Sequence, residues 1–198
     1  MPEPWRTLEE RELLDCRIFR AVQVRRRSPL DGSEHTFYLM RSPDWVNVIA
    51  LTADDEIVLI EQWRHGTAQA HLEIPGGIVD PDESPARAAL RELEEETGYR
   101  PAELWQLGVC RPNPAFLDNR CTTFLARGCR PCAAPRPEGT EQIRIRLEPF
   151  ARVPALIASG AIDHAIVLVA LGYELLRRQG ALVPLAVEPQ PGPAARGD

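Results

Sequence analysis

The chain has 198 residues, 44% of them hydrophobic and 26% charged, with a formal net charge of −6. That length and apolar fraction are enough to bury a core without disulfides or a structural metal, and they exclude disorder as the default state. The acidic balance excludes non-specific affinity for nucleic acid or anionic membrane, so an anionic substrate must be met by local arginines or metal ions. Five cysteines (Cys16, Cys110, Cys121, Cys129, Cys132) are an odd number in a chain of this size, which points to reduced thiols rather than a secreted disulfide framework. Cys129-Arg-Pro-Cys132 lacks the second matching pair that a zinc ribbon needs. The first residues show no signal-peptide pattern, and the most apolar stretch, 165–171, is too short to cross a bilayer. The expectation is a soluble, cytoplasmic protein.

Residues up to about Asp15 are polar and read as peripheral. Residues 16–27 and 35–40 read as two strands paired across the Ser28-Pro29-Leu30-Asp31-Gly32 turn. Val-Ile-rich runs at 45–51 and 57–63, separated by Asp54-Asp55, predict a buried hairpin. A short segment at 71–74 leads into a turn at Pro75-Gly76-Gly77. A helix is predicted over 85–97, with Ser84 as N-cap, Pro85 in the first helical position and Gly98 as the stop. Further strands follow at 104–109, 121–126 and 142–147, the first two flanking the proline-rich loop that starts at Arg111. Helices are predicted at 149–159 and 163–178, the second capped by Asp163, with His164 read as structural. The last residues, 188–198, are rich in proline and glycine and read as a disordered tail. These elements sum to a mixed α/β domain.

The 85–97 helix carries the chemistry. At about 100° per residue, Glu92, Glu95 and Glu96 fall on one arc, opposite Ala86, Ala89, Leu90, Leu93 and Thr97, with Ala88 on the acidic side. Like charges at this spacing destabilise a helix by a few tenths of a kcal/mol per pair, about the scale of a single surface ion pair. Two readings follow: a solvated acidic face, or an all-oxygen site for a hard cation such as Mg²⁺ or Mn²⁺.

The wider segment decides between them. Gly77, Glu83, Arg91-Glu92-Leu93, Glu95-Glu96 and Gly98 stand at the fixed places of the Nudix box, and the sequence resembles the Nudix hydrolase family. Tyr99 departs from the aliphatic residue more usual there. The resemblance implies an α/β/α sandwich with a mixed sheet, here occupying residues 43–187, preceded by N-terminal antiparallel strands in residues 1–42. It implies that Glu92, Glu95 and Glu96 hold divalent metal, with a backbone carbonyl from Gly76, and that Glu83 and Arg91 steady loop and helix. Gln62-Trp63-Arg64-His65-Gly66, Leu72-Glu73-Ile74-Pro75 and Arg111-Pro112-Asn113-Pro114 are similar to the branch that hydrolyses ADP-ribose and other nucleoside diphosphate sugars. By that resemblance Arg64 contacts phosphate or ribose, Glu73 shapes the same pocket, and Pro114 fits the branch's proline past the box. Trp63 either stacks on the base or is a buried aromatic at a strand end.

The implied reaction is attack of water on one phosphorus of the pyrophosphate, giving a nucleoside monophosphate and a sugar phosphate. In similar enzymes the general base comes from a late loop, here 137–141, which makes Glu141 the first candidate, Glu138 the second and the box residue Glu95 the third. The alternatives are a dinucleoside polyphosphate, coenzyme A or an oxidised nucleotide as substrate, or a silent nucleotide-sensing module. The same branch implies a homodimer built through residues 1–42. Neither nucleic acid nor membrane is expected as a partner.

Overall fold

A computed structural model describes residues 1–137, 139 and 141–187. The chain divides into two compact units: Met1–Asp44 with Arg111–Arg120, and Trp45–Cys110 with the residues from Cys121 onward.

The first unit is a three-stranded antiparallel sheet in the order β1 (Arg6–Asp15), β2 (Arg20–Arg27), β3 (Glu34–Arg41). The polar opening of the chain is thus a strand. Its side chains are almost all exposed, so no apolar alternation marks it, and what holds it is backbone pairing with β2 and cross-strand ion pairs such as Arg25–Glu9 at 3.0 Å. Residues 16–19, predicted as strand, form a turn in which Arg17 takes a left-handed φ of 68°. The Arg111–Arg120 excursion belongs to this unit: the Met40 N–H donates to the Phe116 carbonyl at 2.8 Å, and Arg41 pairs with Asp118 at 2.9 Å.

The second unit is built on β4 (Trp45–Thr52), β5 (Glu56–Arg64), β6 (Gln69–Glu73), β7 (Gly76–Ile78), α1 (Pro85–Thr97), β8 (Tyr99–Arg100), β9 (Glu103–Cys110), β10 (Cys121–Pro131), β11 (Ile143–Pro149), α2 (Val153–Ala158), α3 (Ala165–Arg178) and β12 (Leu185–Ala186). The main path of its nine-stranded sheet runs β11-β5-β4-β10-β9-β12. The β4–β10 pair is parallel and the other pairs antiparallel, which makes the sheet mixed. Alternation along β4 sends Val46, Val48 and Ala50 into one core with Ala88, Ala89 and Leu93 of α1. Ile49 and Leu51 go to the opposite core with Leu156 of α2 and Val167, Ala170 and Leu171 of α3. Strands covered on both faces read as unbroken apolar runs, as 57–60 does. The result is the α/β/α sandwich.

Three local expectations are corrected. The 149–159 helix is a 3₁₀ turn at Phe150–Arg152 followed by the short α2. The 163–178 helix starts at Ala165, and the Asp163 carboxylate bonds the His71 ring at 2.8 Å instead of capping the helix. Ala88, placed on the acidic arc, is fully buried in the α1 core. The tail at 188–198 lies outside the described residues.

Candidate active site

Helix α1 is fixed at both ends by the residues that predicted it. The Ser84 hydroxyl accepts from the Arg87 N–H, and Gly98 adopts a φ of 71° with its N–H on the Glu94 carbonyl. Just before the helix, the chain passes so close to the β4 backbone that Gly76 admits no side chain, while Gly77 lies against the movable Glu92 carboxylate. A Cβ on Gly76 would overlap the Val46 carbonyl, and one on Gly77 would overlap the Glu92 carboxylate.

The acidic face of α1 is not a solvated face. Glu96 is 2% exposed, and its carboxylate accepts from the Gly76 N–H at 2.9 Å. Burial pushes its carboxyl well above the usual carboxylate range against that N–H, and the charges of Glu92 and Glu141 push the same way. Burial likewise raises Glu92, with the Arg91 guanidinium opposing.

Arg91 is the hub of the loop–helix junction. It bonds Glu83 at 2.9 Å, Oε1 of Glu92 at 2.9 Å, Oε2 of Glu95 at 3.2 Å and the Ile78 carbonyl at 3.0 Å. It ties one oxygen each of Glu92 and Glu95 and spans the turn leading into the helix.

From the neighbouring strands, Arg64 at the end of β5 meets Glu73 at the end of β6 in a bidentate pair, Nε–Oε1 and Nη2–Oε2 both at 2.8 Å. The His164 Nδ1 bonds the same Glu73 carboxylate at 2.7 Å. Burial opposes ionisation of Glu73, but the bonds from Arg64 and His164 prevail and bring its carboxyl down to about 2. Glu141 accepts from the Gln62 side chain at 3.3 Å, and its charge acts on Glu92, Glu96 and Arg64 alike. One electrostatic neighbourhood therefore contains Glu92, Glu96, Glu141, Arg64 and Glu73.

Other predicted residues fall elsewhere. Trp63 is 47% exposed, which overturns the buried-aromatic reading and leaves its ring open to a stacking partner. Pro114 sits in an exposed turn of the first unit. Glu138 lies outside the described residues. The sequence reading missed His164 as a partner of Glu73 and Gln62 as a partner of Glu141. Both bridge long chain separations, so no local spacing could reveal them.

Among the described residues no three of His, Cys, Asp or Glu are gathered into a cage that could hold a metal alone. The donor chemistry nonetheless fits a hard cation. Glu96 is buried and Glu92 half-buried, desolvation outweighs the hydrogen bonds of both, and the charge of Glu92 bears on Glu96. A site supplying only some of the oxygens, with water and phosphate completing the shell, is the mode of Mg²⁺.

The family pattern of the NUDIX domain matches residues 42–168. This chain belongs to the Nudix family. Similar proteins include the methanol dehydrogenase activator of Bacillus methanolicus, 32% identical over 123 residues, covering 62% of this chain and 66% of that one. The ADP-ribose pyrophosphatase of Bacillus subtilis (strain 168) is 36% identical over 88 residues, covering 44% of this Nudix chain and 48% of its own. The chain thus spans less than two thirds of the length of either relative. A crystal structure of ADP compounds hydrolase superposes with a TM-score of 0.80 at 24% identity, over 91% of this chain and 98% of that one, a likeness of fold. No described helix is long and apolar enough to cross a membrane.

Proposed function

We propose that this Nudix protein hydrolyses the pyrophosphate bond of ADP-ribose or another nucleoside diphosphate sugar, using Mg²⁺ or Mn²⁺ held by Glu92, Glu95, Glu96 and the Gly76 carbonyl. The observation that carries the reading is the desolvated pair of buried Glu96 and half-buried Glu92, near a guanidinium oriented by Glu73. The similarity to an ADP-ribose pyrophosphatase supports the substrate class.

The bound metal would neutralise phosphate oxygens and acidify or orient the attacking water. The protein's own groups do the rest. Glu73 fixes the plane of Arg64 through Nε and Nη2, so the guanidinium meets a phosphate or ribose in a set orientation at little entropic cost. His164 keeps Glu73 ionised and in place for that task. Gln62 holds Glu141 through Oε1, and Oε2 accepts the proton of the water as its oxygen bonds to phosphorus. The bridging P–O bond breaks, and a nucleoside monophosphate and a sugar phosphate depart. Trp63 offers a face for the base. Glu83 and Arg91 hold the carboxylate-bearing helix to its loop. By the family resemblance, the protein acts in the cytoplasm as a homodimer paired through its N-terminal strands.

The test is a panel of ADP-ribose, GDP-mannose, coenzyme A and a dinucleoside polyphosphate, each with Mg²⁺ and with products identified by chromatography. Release of AMP and ribose 5-phosphate faster than turnover of the last two supports the assignment. Faster cleavage of coenzyme A or the dinucleoside polyphosphate overturns the substrate class. No cleavage of any, with metal still raising the melting temperature, overturns the enzyme reading in favour of a nucleotide sensor.

A further inference from the structure

The cysteine pair that stands out in the sequence, Cys129 and Cys132, is not the pair that the fold sets face to face. Those two thiols donate to different carbonyls, Cys129 to Ala126 at 3.4 Å and Cys132 to Gly98 at 3.2 Å. Cys110 and Cys121 are different. They are the last residue of β9 and the first of β10, and the antiparallel register makes them direct partners. Directly opposed Cα atoms in such a ladder lie about 4.5–5.5 Å apart, inside the Cα window of about 4.4–6.8 Å that a disulfide accepts. The Cys110 thiol is in hydrogen-bonding contact with Cys121. Both are thiols in this structure.

Arg111–Arg120 leaves the second unit at Cys110, joins the first unit, and returns at Cys121. The two sulfurs stand at the base of that excursion.

We propose that Cys110 and Cys121 are a modification site that closes to a reversible disulfide, stapling the base of the Arg111–Arg120 excursion. Cys110 is partly exposed and Cys121 buried, which orders the steps. The Cys110 thiolate attacks one sulfur of a small disulfide such as oxidised glutathione, forming a mixed disulfide and expelling the first glutathione thiol. Cys121 then gives up its proton and attacks the Cys110 sulfur, expelling the second. Two protein thiols are oxidised, one glutathione disulfide is reduced, and two glutathione thiols leave. Burial pushes the Cys110 thiol up, so exchange quickens as the solution becomes alkaline.

The experiment treats the full chain with oxidised glutathione at mildly alkaline pH, alkylates the remaining thiols under denaturing conditions, and maps peptides by mass spectrometry. The expected product is one intramolecular Cys110–Cys121 link lighter by two hydrogens, with Cys16, Cys129 and Cys132 alkylated, and full reversal by dithiothreitol. In Cys121→Ser the reaction should stop at a glutathione adduct on Cys110. Should that variant not fold, Cys110→Ser replaces it and should carry neither link nor adduct at Cys121. Alkylation of both Cys110 and Cys121 in the treated wild type overturns the proposal. So do a link between other cysteines, a disulfide between two chains, or a glutathione adduct that persists on wild-type Cys110.

Discussion

At Glu96, burial and a single backbone hydrogen bond compete over one carboxylate. Its carboxyl lies well above the usual carboxylate range because burial outweighs the Gly76 N–H. The folded protein therefore holds a proton there that the unfolded chain has released. The sign follows: the stability tied to that proton is complete below the unfolded value of about 4.3 and is lost as pH rises through the higher folded value. Metal-free wild type should thus lose melting temperature between mildly acidic and neutral pH relative to Glu96→Gln. Mg²⁺ should restore it in wild type only, and calorimetry across pH with and without metal checks both statements. Glu73 has the opposite sign. Its carboxyl lies at about 2, so its contribution is complete above the unfolded value of about 4.3 and is lost as pH falls towards 2. Arg64→Ala removes the counter-charge of this buried carboxylate and should cost about 2 kcal/mol in urea unfolding, discounted because the arginine is partly exposed. If Arg64 also meets phosphate, KM for a nucleotide sugar should rise in Arg64→Lys, which keeps the charge but loses the fork.

At the scale of elements, helix α1 was the most legible part of the sequence. Its N-cap, first-turn proline and C-terminal glycine are local signals, and they fixed bounds that the structure reproduces residue for residue. Ser84→Ala should accordingly cost about 1 kcal/mol, read by chemical denaturation. Gly77→Ala should do more than cost stability. A methyl there pushes on the Glu92 carboxylate, so metal affinity should fall along with the melting temperature, which isothermal titration with Mn²⁺ can read. Strand β1 was illegible for a physical reason: nearly every side chain is exposed, and pairing through backbone and opposite charges leaves no apolar period. Ala88 is buried because the α1 core wraps round far enough to take it in, which a helical wheel, treating an arc as uniform, does not show. The Glu73–His164 and Gln62–Glu141 contacts were unreadable because each joins residues far apart in the chain.

At the scale of the whole molecule, the box, the mixed sheet covered by helices on both faces, and the match over residues 42–168 agree on the Nudix family. Residues 1–42 show several exposed apolar side chains, among them Leu13, Leu14 and Tyr38, in a sheet of three strands. If this surface pairs two copies, sedimentation should show a concentration-independent dimer at micromolar protein, and Leu14→Glu with Tyr38→Glu should shift it to monomer. Metal-dependent pyrophosphate hydrolysis by the α1 carboxylates would show itself as AMP release from ADP-ribose. Wild type would be assayed with Mg²⁺, with Mg²⁺ plus excess chelator, and beside Glu96→Gln. Release should vanish with the chelator and fall by at least about 100-fold in the variant, about 2.7 kcal/mol of transition-state stabilisation. Undiminished release in the presence of chelator, or from the variant, would mean that the α1 carboxylates and their metal do not carry the reaction.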